Sequence, residues 1–252
     1  MIEPLAVVYA ILAGAGATAL GAAIVLVLPR LSHRMHDTLL AFSTGLMAGM
    51  VAFQIIPEAF RTAQGERAIV LLGLFFGFIC LLAADRAARW LPTPEPFRSR
   101  PAEGAGAPTG FLVFLALSVH NIPEGLATGL GYAHGVTSFG NGLALAVTIQ
   151  NIPEGLIVAI PLRGEGHSRV SAFILAAATG LIEPVCSLVA MIAVRMATSL
   201  LPAGLGFAAG AMAYVVAIEM VPESWKHGYH WEATAAAVAG VFIVALLKLI
   251  TL

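Results

Sequence analysis

The chain has 252 residues, 59% of them hydrophobic and only 11% charged, against about a quarter charged in an average soluble domain. Thirteen basic residues face 14 acidic ones, and the mean hydropathy is +0.91. These values exclude a soluble globular enzyme, a disordered chain and a nucleic-acid binder with its basic excess; they leave a polytopic membrane protein in a lipid bilayer.

A bilayer core needs about 20 apolar residues per spanning helix, and eight stretches qualify. The first runs over 4–28 and ends at Pro29-Arg30. It lacks the basic start of a signal peptide, so it reads as a true span. The second, 39–60, ends at Arg61, and the third, 68–90, ends at Trp90 and Pro92. A Pro-, Gly- and Ala-rich stretch, 91–109, reads as a cytoplasmic linker. The remaining spans cover 110–132, 140–162, 170–196, 203–223 and 232–252. The runs are too long for strands and do not alternate. Cys80 and Cys186 sit in apolar runs and make no disulfide framework. The whole chain, 1–252, reads as one transmembrane domain.

With the N-terminus outside, the inner loops hold Arg30, Arg34, Arg86, Arg89, Arg98, Arg100, Arg163, Arg169 and Lys226. The outer side holds Arg61, Arg67, Arg195 and Lys248. This bias predicts both termini outside the cytoplasm of a cell membrane.

Asn-Ile-Pro-Glu-Gly-Leu occurs at 121–126 and again at 151–156. The turn between the copies centres near Gly135-Val136, about 22 Å of helix from each. Antiparallel helices joined there place both copies at one depth, near the bilayer centre. A weaker repeat pairs Gly45, Gly49, Ala52, Phe53 and Pro57-Glu58 with Gly206, Gly210, Ala213, Tyr214 and Pro222-Glu223, the later copy carrying four extra residues. This predicts an all-α 3+2+3 bundle, with spans one to three inverted against spans six to eight around a central pair. Inverted repeats with broken helices mark transporters.

Glu124, Glu154 and Glu183 lie near the middles of their spans. Each ionised carboxylate costs roughly 3 kcal/mol there, and no lysine or arginine lies at matching depth. Protonation, a wet cavity or a bound cation must offset that cost. His120, Asn121 and Glu124 share a helix face, as do Gln150, Asn151 and Glu154. Pro123 and Pro153 free the carbonyls four residues earlier, and Glu183-Pro184 adds a further carboxylate beside a proline. Carboxylates, amides and one imidazole converging on one point suit a divalent metal.

His-Asn-Ile-Pro-Glu-Gly at 120–125, followed by Gln-Asn-Ile-Pro-Glu-Gly at 150–155, resembles the paired signature of the ZIP (Zrt/Irt-like) divalent metal transporters, most closely the prokaryotic GufA-like branch. The resemblance covers essentially the whole chain. It implies no enzyme and no cofactor. It implies a transported metal, zinc foremost, with cadmium, iron(II) and manganese as further candidates, moved toward the cytoplasm by a homodimer. It also implies an often binuclear midplane site. His120, Glu124, Gln150 and Glu154 would hold the first metal; Asn121, Glu124, Asn151, Glu154 and Glu183 would hold the second. Met47 matches a position that supplies a thioether in some relatives. Gln150 replaces a histidine found in many members, Asn151 an aspartate found in some bacterial ones, and 91–109 lacks the histidines of many family loops.

Glu58, Asp85, Glu219 and Glu223 are candidates for the transport path; in the family an acidic residue at the Glu219 position lines the release route. His227 and His230 follow in the inner loop. His33, His36, His134 and His167 read as loop residues without a role. An intramembrane metal-dependent hydrolase would need a separate general base and an opening for substrate. A proton-coupled carrier of small organic solutes would need aromatic or hydroxyl groups around the glutamates. The doubled motif offers neither.

Overall fold

The computed structural model describes residues 2–28, 30–88, 90 and 109–250. Most of the 91–109 linker therefore lies outside the described residues. Eight helices among the described residues are long and apolar enough to cross a membrane: α1 (Pro4–Leu26), α2 (His33–Thr62), α3 (Arg67–Ala87), α4 (Gly110–Gly131), α5 (Ser138–Gly164), α6 (Arg169–Met196), α7 (Leu200–Ser224) and α8 (His230–Ile250). The sequence ranges agree within a few residues, with one clear exception. Helix α2 begins six residues before its apolar run, because the Ser32 hydroxyl caps it by accepting from the Met35 N–H. That extension carries the polar residues His33, Arg34, His36 and Asp37.

The helices sort into a centre and a periphery. Within an 18-residue apolar stretch of each helix, 67% of the residues are buried in α5 and 61% in α2, against 17% in α3 and in α8. The outer faces of α3 and α8 present Leu71, Leu72, Phe75, Phe76, Val238, Phe242 and Leu249. In water such faces would be an association hazard; against acyl chains they are the expected surface.

Close contacts between helices run through glycines. A Cβ on Gly45 of α2 would lie 2.0 Å from the Ala237 carbonyl oxygen of α8, and one on Gly210 of α7 would lie 2.0 Å from the Leu74 oxygen of α3. Gly240 meets Phe42, while Gly77 meets Phe207. Thus α2 packs on α8 as α7 packs on α3, backbone on backbone, which maximises dispersion contact where no hydrophobic drive operates between helices in lipid. Of the glycines of α2 and α7 in these two pairs, Gly45 and Gly210 make the closest approaches, while a Cβ on Gly206 would lie 2.6 Å from the Val70 carbonyl oxygen. The irregularities of α2 and α7 also agree. Wide π turns occupy Met50–Ile55 and Val215–Met220, each ending two residues before a proline, Pro57 or Pro222. Proline lacks the N–H that would continue the ladder, and the widened turn absorbs that loss.

Helices α4 and α5 form an antiparallel hairpin. Gly135 adopts φ +98° in the turn, a conformation that a side chain would strain. The Val136 N–H donates to the Glu3 carboxylate at 2.8 Å, and the Thr137 hydroxyl caps α5 by accepting from the Gly140 N–H. Helix α1 lies against α5 and α6, α6 against α4, and α2 and α7 flank the hairpin.

Candidate metal site

The doubled motif lands where its spacing requires. The Gln150 amide nitrogen donates to Glu124 at 2.5 Å and to Glu154 at 3.0 Å, so the two motif carboxylates share one donor across the hairpin. Asn151 donates to Glu183 at 2.8 Å and to the Ala13 carbonyl at 3.0 Å, joining α5 to α6 and α1. Asn121 donates to the Thr179 carbonyl at 2.8 Å. Thr179 ends the first segment of α6, which breaks before Ile182. Likewise Ala13 lies in the π turn Leu12–Gly16 of α1. Both irregular stretches thus place a carbonyl against an amide nitrogen of the cluster.

The motif glycines set the distances. A Cβ on Gly125 would lie 2.5 Å from the Glu183 carbonyl oxygen, and one on Gly155 would lie 2.1 Å from that of Thr18. Only glycine lets α6 and α1 approach α4 and α5 closely enough for these hydrogen bonds.

The unpaired atoms are informative. Glu124, Gln150 and Asn151 are fully buried, and Asn121, Glu154, Glu183 and His120 are at most 5% exposed. The three amide nitrogens are held by protein acceptors, yet Asn121 Oδ1, Gln150 Oε1, Asn151 Oδ1, Glu124 Oε2 and Glu154 Oε2 have no donor. Buried polar atoms without partners are few in a native fold, and these five acceptor oxygens fit a cation's donor preferences. None of Glu124, Glu154 and Glu183 forms an ion pair with a lysine or arginine among the described residues.

The other candidates occupy different places. His120 Nε2 lies 2.6 Å from Glu219 Oε2, which ties α4 to α7 at the edge of the cluster; His120 Nδ1 and Glu219 Oε1 have no partner. Met47 is fully buried on α2, one turn beyond Ser43, whose hydroxyl donates to the Gln150 carbonyl at 3.4 Å. Glu58 binds Arg61 in a bidentate pair. Both line a cavity of about 900 Å³ at the end of the bundle shared by the α2–α3, α4–α5 and α6–α7 connections. Asp85 accepts from the Tyr214 hydroxyl at 3.1 Å. Glu223 pairs with Lys226 at an exposed end, away from the cluster.

Gln54, not among the residues that the motifs point to, is 1% exposed and has neither amide atom paired. Gln54 and Glu219 each lie three residues before a proline, Pro57 and Pro222. His33 and His36, expected in a loop, are helical residues of α2.

Residues 95–248 match the family model described as ZIP Zinc transporter. The chain is 36% identical over 247 residues to the Zinc transporter GufA of Myxococcus xanthus, covering 95% of each chain. It is 35% identical to the Zinc transporter ZIPB of Bordetella bronchiseptica, covering 95% of this chain and 80% of that one. It is 29% identical to the Zinc transporter ZupT of Chlorobium chlorochromatii, covering 91% of each. The chain therefore belongs to the ZIP family of multi-pass membrane metal transporters, on its GufA-like branch, and is not an enzyme.

Proposed function

We propose that this protein carries divalent metal, zinc foremost, across a cell membrane toward the cytoplasm through the cluster at Glu124 and Glu154. The observation that carries this reading is the set of buried carboxylate and amide oxygens left without donors where no basic side chain balances the charge. One divalent ion supplies two positive charges to three carboxylates, and two ions supply four; either count removes most of the burial cost.

His120, Glu124, Gln150 and Glu154 form the proposed first ligand set, with Met47 adjoining it. Asn121, Glu124, Asn151, Glu154 and Glu183 form the second. For Gln150 to offer its oxygen, its amide must turn away from the two carboxylates as the metal replaces the N–H donors. The exchange is cheap, because a charge-assisted contact replaces an amide one. The matched glycine contacts of α2–α8 and α7–α3 support an inverted 3+2+3 repeat; the excess of basic residues in the inner loops supports both termini outside, and a homodimeric assembly is proposed from the family resemblance alone. Cadmium, iron(II) and manganese share the donor preferences of this set and are proposed as weaker substrates.

Purified protein in proteoliposomes loaded with a zinc-sensitive dye should show uptake that rises with external zinc and saturates. Absence of flux for zinc, cadmium, iron(II) and manganese alike would overturn the reading.

His120 offers a separate check of selectivity. It is the one imidazole at the cluster, and nitrogen donors favour zinc over harder ions. His120→Ala should weaken zinc uptake more than manganese uptake, so manganese should compete better against zinc in the variant. An unchanged competition ratio would remove His120 from the ligand set.

A further inference from the structure

The polar first turn of α2 does more than begin a helix. Asp37 is fully buried, and its Oδ1 lies 2.7 Å from His227 Nδ1 and 3.3 Å from His36 Nδ1. Its Oδ2 accepts from the His227 backbone N–H at 3.2 Å. No lysine or arginine pairs with Asp37 among the described residues. One donor atom each from His36, Asp37 and His227 lie within 4.8 Å of one another. His33 stacks on the His227 ring at 4.1 Å between centroids, with 27° between planes, fixing the ring's orientation.

We propose that His36, Asp37 and His227 form a second divalent-metal site, for zinc or an ion of similar softness, at the end of the bundle where α2 begins and α7 connects to α8. Two imidazoles and a carboxylate are a familiar zinc donor set that leaves a fourth position for water. With metal–ligand bonds of about 2.0–2.1 Å, neighbouring donors in a tetrahedron sit roughly 3.4 Å apart. The His36–Asp37 separation already meets this, and the His227–Asp37 hydrogen bond lengthens slightly as a metal replaces its proton. The buried carboxylate and the stacked ring hold two of the three ligands in place before any ion arrives, so little ordering cost attends binding.

The site is separate from the cluster at Glu124 and Glu154 and shares no residue with it. Asp37 lies on α2, and His227 lies in the connection after α7, with the Arg34–Glu232 ion pair at 3.1 Å bracing the same corner. A bound metal would clamp the start of α2 to the α7–α8 connection. The bias of basic residues places this corner on the cytoplasmic side, where metal arrives after release from the midplane.

The test measures zinc equivalents bound to the full-length protein in detergent, by elemental analysis after gel filtration. The E124Q/E154Q double variant weakens the midplane cluster and should retain one zinc per chain. Adding H36A or H227N to it should remove that zinc. Asparagine at 227 keeps a side-chain donor toward Asp37, so folding is preserved. Retention of the zinc after either addition would overturn the proposal, as would its absence from the double variant. If the double variant binds as much zinc as the wild type, the midplane reading fails and the corner site is judged by H36A and H227N alone. A second measurement uses wild-type protein only: diethyl pyrocarbonate should modify His36 and His227 without metal and be blocked by saturating zinc. Equal modification with and without zinc would also refute the site.

Discussion

Replacing Glu124 or Glu154 with glutamine should lower zinc affinity by about 10–150-fold each, and the double replacement should abolish flux. The change keeps the side-chain shape and its carbonyl acceptor, so the Gln150 N–H group still has a partner on either side. Only the charge is lost. A charge-assisted contact of this kind contributes roughly 1.5–3 kcal/mol, which gives the quoted range. Glu183→Gln should be milder, because Glu183 accepts from Asn151 at the flank rather than sharing the central donor. Gln150→Ala and Asn151→Ala should be milder again, since each removes one neutral oxygen. Zinc binding by calorimetry on monodisperse protein checks the order. The reverse order, with Asn151→Ala abolishing uptake and both glutamate variants transporting normally, would show that the ligands lie elsewhere.

Gly155→Ala should be among the most damaging single-methyl changes in the chain. The added Cβ would sit 2.1 Å from the Thr18 carbonyl oxygen and 2.8 Å from the Ala22 nitrogen. Both are backbone atoms of α1, so no rotamer change can relieve the overlap, and the helices must separate. Overpacking typically costs 1–3 kcal/mol, and a backbone clash falls at the upper end, about 3 kcal/mol. The same separation pulls the Ala13 carbonyl from Asn151, so metal affinity should fall with stability. Gly164→Ala is the control: a Cβ there meets nothing within 4 Å, and alanine is the better helix former. Thermal unfolding should show a large fall in Tm for Gly155→Ala and none for Gly164→Ala. Equal midpoints would mean that α1 and α5 are not packed this closely.

The site was legible where its information was local. An exact six-residue repeat on two helices joined by a turn at Gly135 determines a common depth, because rise per residue is constant. The apolar runs gave eight helices for the same reason. What escaped was non-local or insensitive to hydropathy. Gly206 and Gly210 lie four residues apart on one helix face, so sequence alone leaves an alignment of α2 with α7 free to slide by a turn without changing the face. The start of α2 was missed because hydropathy falls at His33–Asp37, whereas a Ser32 cap sustains the helix through polar residues. The His36–Asp37–His227 group joins residues 190 positions apart, a proximity that no local pattern carries. The π turns left only the prolines as a trace.

The most direct measurement is an anomalous-difference Fourier map from crystals of the protein soaked in zinc, with data collected above and below the zinc absorption edge. A peak is expected between the Glu124 and Glu154 carboxylates, within about 2.0–2.2 Å of an oxygen from each, with the Gln150 amide turned to present its oxygen. A map with no anomalous density at that cluster in zinc-saturated crystals, while density appears at other side chains, would contradict this placement of the metal.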